Sequence, residues 1–136
     1  MAGYSKTPLV KKLGIAAGSR VCTENAPSSY PELLGKLPAG AVISNKIRRN
    51  IDICHLFTNS KSTLFKRLPS LKNKINDNGM IWVSWPKKAS GVPSDVSEND
   101  IRAAALPLGL VDVKVCAIDD VWSGLKLVIR KELRAG

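Results

Sequence analysis

The sequence predicts an α/β fold: a single domain over residues 1–136, three layers deep, with a mostly parallel sheet that ends in an antiparallel C-terminal hairpin. Three observations carry this. The stretch Met80-Ile81-Trp82-Val83-Ser84-Trp85 is apolar on both faces, the pattern of a central strand covered by helices on each side. Runs of β-formers alternate with segments of helical periodicity over most of the chain. The last two β-rich runs are joined only through Asp119-Asp120-Val121, enough for a hairpin and too little for a helical crossover.

Each element has a local reason. Thr7 as N-cap, Pro8 in the first turn and Gly14 as a stop predict a helix over residues 8–13. Residues 20–25 supply β-formers after a Gly-Ser turn, and Ser29-x-x-Glu32 has capping-box spacing before a helix near Leu34. Residues 41–44 read as a short strand and 51–57 as a longer one. A parallel crossover normally needs ten or more residues, so with only 45–50 between them the first either forms an abbreviated edge strand with an extended return or pairs antiparallel.

From Ser60, Leu64, Leu68, Leu71 and Ile75 recur at helical spacing, with Lys61, Lys66, Arg67, Lys72 and Lys74 around them. Pro69 predicts a kink or split there. Asn76-Asp77-Asn78-Gly79 reads as the turn that ends this helix and admits the strand at residues 80–85. Ser97-x-x-Asp100 opens a helix over residues 101–106 that Pro107 and Gly109 stop. Residues 110–118 and 122–131 then form the hairpin.

Composition narrows the function. No apolar run approaches 18 residues and the N-terminus lacks a secretory pattern, so the chain is expected in the cytoplasm and not in a membrane. Cys22, Cys54 and Cys116 are odd in number and each lies in an apolar run, as reduced, buried thiols do. One histidine and no Cys-x-x-Cys pair predict no metal site. The net charge is +10 and uneven: residues 1–92 carry 15 Lys or Arg against 4 acidic residues, whereas residues 93–136 carry 6 against 7. A field of one sign attracts anionic partners, a small molecule or nucleic acid.

The order of elements resembles a shortened class I methyltransferase fold, which is Rossmann-like, and Leu13-Gly14-Ile15 before Gly18-Ser19-Arg20-Val21 is similar to that family's entry into its first strand. The resemblance implies a last strand inserted antiparallel beside its predecessor. It also implies a glycine-rich turn after the first strand and an acid after the second, to hold S-adenosylmethionine. Here those places are Glu24-Asn25-Ala26-Pro27-Ser28-Ser29, without glycine, and Ser44-Asn45, without an acid.

A second resemblance covers nearly the whole chain. Ala2-Gly3-Tyr4-Ser5-Lys6-Thr7-Pro8-Leu9, Asn25-Ala26-Pro27, His55-Leu56-Phe57, Trp82-Val83-Ser84-Trp85-Pro86-Lys87-Lys88 and Trp122-Ser123-Gly124-Leu125-Lys126 resemble a family of small bacterial proteins recorded as a domain of unknown function. It implies a free-standing domain and assigns no activity or cofactor.

The candidate site is the loop Pro86-Lys87-Lys88-Ala89-Ser90-Gly91 at the carboxyl end of the central strand, the edge of an open α/β sheet where ligands bind. Lys87, Lys88, Ser90 and Gly91 supply charge, a hydroxyl and flexible backbone for a phosphate or carboxylate. Asn25 and Ser28 would share that edge. Lys46, Arg48 and Arg49 form a secondary basic patch. His55, inside a strand without a nucleophile or acid at motif spacing, reads as a hydrogen-bonded structural residue, and Asp119-Asp120 as turn residues. Trp85 and Trp122 read as core packing. The function expected is a non-enzymatic or regulatory domain that binds an anionic ligand, without a cofactor. The alternative is a degenerate or non-standard methyltransferase-like enzyme.

Overall fold

The computed structural model describes residues 8–134. Six strands, β1 (Arg20–Glu24), β2 (Val42–Ser44), β3 (Ile51–Phe57), β4 (Ile75–Pro86), β5 (Leu110–Ala117) and β6 (Trp122–Ile129), form one sheet in the order β2-β1-β3-β4-β6-β5. β1 to β4 are mutually parallel, and β6 enters antiparallel between β4 and β5. Helices α1 (Leu9–Leu13) and α2 (Tyr30–Leu34) lie on one face, and α3 (Lys61–Lys72) and α4 (Glu98–Ala105) on the other.

The ambiguous segment at residues 41–45 resolves as parallel, with Val42 beside Arg20 and Ser44 beside Cys22. The return is extended. Six residues at roughly 3.3 Å each reach about 20 Å, enough to travel back along the five-residue β1 without a helix. The Cys22 thiol meets the Ile47 carbonyl at 3.6 Å, and Arg20 Nε donates to the Asn50 carbonyl at 3.2 Å.

Three local expectations are corrected. Ile75 does not extend the helix; it opens β4, and Asn76-Asp77-Asn78-Gly79 is strand, not turn. The β3–β4 register shifts between Ile51 and Ile53, and the Asn76 amide donates to Asp52 Oδ1 at 3.0 Å, so an irregular ladder and a side-chain bond hold a polar run in the sheet. Pro69 does not split α3, which runs unbroken from Lys61 to Lys72. The bond it forfeits is to the Phe65 carbonyl, and both residues are exposed, where that loss costs less than in a buried turn. Ser29 begins α2 but makes no side-chain cap bond. The box at Ser97 and Asp100 forms in full. Thr7, expected as the first N-cap, lies outside the described residues.

The core has two faces because β4 is covered on both. Cys54, Ile81, Val83 and Leu125 pack under Leu64, Leu68 and Leu71 of α3 and Ile101 of α4. Each fully buried leucine contributes about 1.5–3 kcal/mol relative to exposure. Val21, Ile53, Phe57 and Trp82 pack under Leu9 and Leu13 of α1 and Tyr30 and Leu34 of α2. Trp82 Nε1 donates to the Leu13 carbonyl at 3.0 Å, satisfying one of the orphan carbonyls at the end of α1, and Gly14 caps that end at φ 82°. Trp85 and Trp122 are half-buried against the two core faces. No helix among the described residues is long and apolar enough to cross a membrane.

Candidate functional site

Parallel strands deliver β1, β2, β3 and β4 to one edge with their carboxyl ends, and the β5–β6 turn reaches the same edge through the Lys87 amide, which donates to the Val121 carbonyl at 2.7 Å. Two clefts open along it, two strands apart. The first, of about 320 Å³, follows β4 and is lined by Pro86, Lys87, Lys88, Gly91, Pro93 and Val96 among others. The second, of about 450 Å³, follows β1 and β2, with Thr23, Asn25, Ser28, Tyr30, Ser44 and Asn45 in its wall. The predicted residues therefore share an edge, and the structure divides them: Lys87, Lys88 and Gly91 line one cleft, Asn25 and Ser28 the other.

The lysine loop is built by its own backbone. A 3-10 turn over Lys88–Ser90 ends at Gly91, whose φ of 77° favours glycine. The Ser90 hydroxyl donates to the Lys87 carbonyl at 2.6 Å and accepts from the Val92 amide at 3.2 Å, so it holds the loop's shape. Among the described residues neither Lys87 nor Lys88 has an ion-pair partner.

In the other cleft Asn25 takes a left-handed conformation, φ 58°, the place in the turn where glycine would be easiest. Ala26 packs against the core beneath it. Beside this turn Glu24, the last residue of β1, accepts two bonds from Arg67 of α3 at 2.8 and 2.6 Å, fixing the strand end to the opposite helix layer.

Below the cleft lies a relay that no sequence motif announces. The Tyr30 hydroxyl is 2.8 Å from His55 Nδ1, and His55 Nε2 is 2.7 Å from the Ser84 hydroxyl. All three residues are buried. The imidazole also stacks on Phe57 at 4.1 Å between centroids. Burial pushes the His55 pKa down to about 3 and pushes Tyr30 up, so the relay is neutral at pH 7. A neutral histidine donates through one nitrogen and accepts through the other, and both are occupied. The structural reading of His55 holds. The partners lie 25 and 29 residues away, and the only local signal was an imidazole at an inward position of a strand.

Cys22 and Cys54 sit opposite each other across β1 and β3, both buried. The neighbouring Cys54 thiol pulls the Cys22 pKa down, and the Cys22 thiol, then burial, pushes Cys54 up. Cys116 departs from expectation, since edge strand β5 leaves it half-buried. Asp119 serves the turn as expected, accepting from the Val121 and Trp122 amides at 2.9 and 2.8 Å. Lys46, Arg48 and Arg49 lie on the extended return between β2 and β3, and none of the three lines either cleft. Among the described residues no three His, Cys, Asp or Glu side chains gather where they could hold a metal.

This sheet, with helices on both faces and an inserted antiparallel strand, defines a single α/β domain of the methyltransferase-like, Rossmann-like class. Residues 41–131 match the family described as protein of unknown function, DUF3052, and the chain belongs to that family. No curated protein matches the sequence. Among solved structures the chain is similar to an S-adenosylmethionine-dependent methyltransferase from Aquifex aeolicus, with a TM-score of 0.65, 12% identity, and coverage of 89% of this chain and 87% of that one. It is also similar to magnesium protoporphyrin IX methyltransferase from Synechocystis PCC 6803, with a TM-score of 0.60, 10% identity, and coverage of 90% and 74%. A TehB-like methyltransferase from Corynebacterium glutamicum gives a TM-score of 0.54 at 8% identity, covering 90% and 85%. At such identities the likeness is one of fold.

Proposed function

We propose that this protein is a non-enzymatic or regulatory domain that binds a small anionic ligand, a nucleotide or phosphorylated metabolite, along the strand-end edge. The observation that carries the reading is the pairing of two clefts on one edge: one offers two ammonium groups without an ion-pair partner among the described residues, and the other offers neutral hydrogen-bonding groups. Strands are spaced by about 4.8 Å, so the ends of β1 and β4 lie roughly 10 Å apart. A nucleotide spans that distance. Its phosphates would meet Lys87 and Lys88 while its sugar or base takes the cleft of Asn25, Ser28 and Ser44.

The second reading, a methyltransferase-like enzyme, has the fold of the neighbours in its favour. Against it stands the turn after β1, where Asn25, Ala26 and Pro27 replace the glycines that would let backbone approach S-adenosylmethionine. Calorimetric titration with adenosine and guanosine triphosphates, inorganic phosphate and S-adenosylmethionine separates the two. Nucleotide binding that is lost with Lys87→Ala and Lys88→Ala is expected. Micromolar affinity for S-adenosylmethionine, unaffected by those changes, would overturn the proposal in favour of the enzyme.

A further inference from the structure

The hairpin of β5 and β6 sets two like charges side by side on the sheet face that carries α1. Lys114 and Lys126 are register partners across the two strands. Their neighbours fix the face. Leu125, Leu127 and Ile129 point into the α3–α4 core, so Lys126 and Val128 between them point the other way, and Cys116, two residues after Lys114, packs on the α1–α2 core. The Lys114 ammonium stands 5.9 Å from the centroid of the Trp82 ring, and Trp82 is the register partner of Lys126 on β4. The cleft of Lys87 and Lys88 opens instead beside Val96, which belongs to the α3–α4 core.

Like charges directly opposite each other destabilise an antiparallel pair. Among the described residues neither lysine has an ion-pair partner to offset this. Burial, and then the charge of Lys114, lower the pKa of Lys126, so its ammonium group is held partly out of water beside a like charge. Lys12, in the last turn of α1, adds a third cation: it donates to the Ala117 carbonyl at 3.3 Å, and its charge and that of Lys114 both act on the Cys116 thiol. A single lysine on an open strand covers apolar surface with its stem and keeps its head in water. Two in register add a repulsion that threonine or glutamine at either position would avoid. An anion between the two heads removes it.

We propose that Lys114 and Lys126 form a site for a phosphate monoester, with the phosphoryl group between the two ammonium groups and the esterified group lying on Val111 and Val128, register partners on the same face that are both partly exposed. Close to pH 7 such a phosphate carries about two negative charges, which match the two lysines. A carboxylate or a sulfate ester carries one and leaves a lysine uncompensated.

Calorimetric titration of the full chain at about pH 7.5 with phenyl phosphate, inorganic phosphate and phenyl sulfate tests this. Phenyl phosphate should bind most tightly, and phenyl sulfate about tenfold more weakly or worse. Lys114→Gln and Lys126→Gln should each weaken phenyl phosphate about tenfold or more, and Lys126→Arg should retain it. The urea midpoint of Lys114→Gln should hold or rise, since the substitution relieves a repulsion, so its loss of binding is not a loss of fold. Lys87→Ala with Lys88→Ala should leave this binding unchanged, which separates failure here from failure at the clefts. No binding of phenyl phosphate at about 1 mM, phenyl sulfate or inorganic phosphate bound as tightly, or undiminished affinity in Lys114→Gln and Lys126→Gln would overturn the proposal.

Discussion

His55 Nε2 lies 2.7 Å from the Ser84 hydroxyl across the β3–β4 pair, and neither residue has any exposed surface. A histidine held neutral in this way ties stability to pH. Its folded pKa, about 3, lies below the ordinary value near 6.5, so the unfolded chain takes the proton first as pH falls. The contribution is complete above about pH 6.5 and is lost progressively down to about pH 3. Between about pH 7 and pH 5 this one group should lower the unfolding free energy by about 2 kcal/mol. Urea denaturation at several pH values checks it, and His55→Gln should flatten the dependence in that window.

Gly79 separates packing from conformation. A Cβ there would sit 2.9 Å from the Asn76 carbonyl and 3.0 Å from that of Ile51, both backbone atoms that cannot swing aside. Gly79→Ala should cost about 3 kcal/mol. Gly91 has open space around it and a positive φ, so Gly91→Ala should cost only about 1 kcal/mol of local strain. Chemical denaturation of the two variants should rank them in that order.

Thiol labelling should divide the cysteines. Cys116 is partly exposed, and burial raises its pKa, so it should react first and more slowly than a free thiol. Cys22 and Cys54 are 4% and 0% exposed and should wait for unfolding. A chromogenic disulfide reagent in native buffer should therefore titrate one thiol per chain. Three fast equivalents would contradict the β1–β3 placement.

Lys87→Ala with Lys88→Ala should leave stability within about 0.5 kcal/mol, because neither ammonium group has an ion-pair partner among the described residues. If the loop holds an anion, each lost charge-assisted contact costs about 1.5–3 kcal/mol, and the pair should weaken a nucleotide roughly a hundredfold or more. Substituting Lys46, Arg48 and Arg49 should spare that ligand, since they lie outside the cleft walls. Equal loss from both sets, in proportion to charge removed, would dissolve the loop into a general basic surface.

The sequence by itself determined what local patterns can specify. Two-sided apolarity at Ile81, Trp82 and Val83 placed β4 in the sheet's interior, Ser97 and Asp100 started α4, and the short Asp119-Asp120-Val121 link required an antiparallel end. Cap chemistry, side-chain period and loop reach act over a few residues, so they are written there. The tertiary structure alone decided whatever depends on partners far along the chain. Asn76 to Gly79 look like a turn until Asp52 and the β3 backbone hold them in a strand. Tyr30, His55 and Ser84 become a relay only when α2, β3 and β4 meet. The candidate site divided for the same reason: β3 stands between β1 and β4, and strand order is a property of the assembled sheet, which sets Asn25 and Lys87 in separate clefts on one edge.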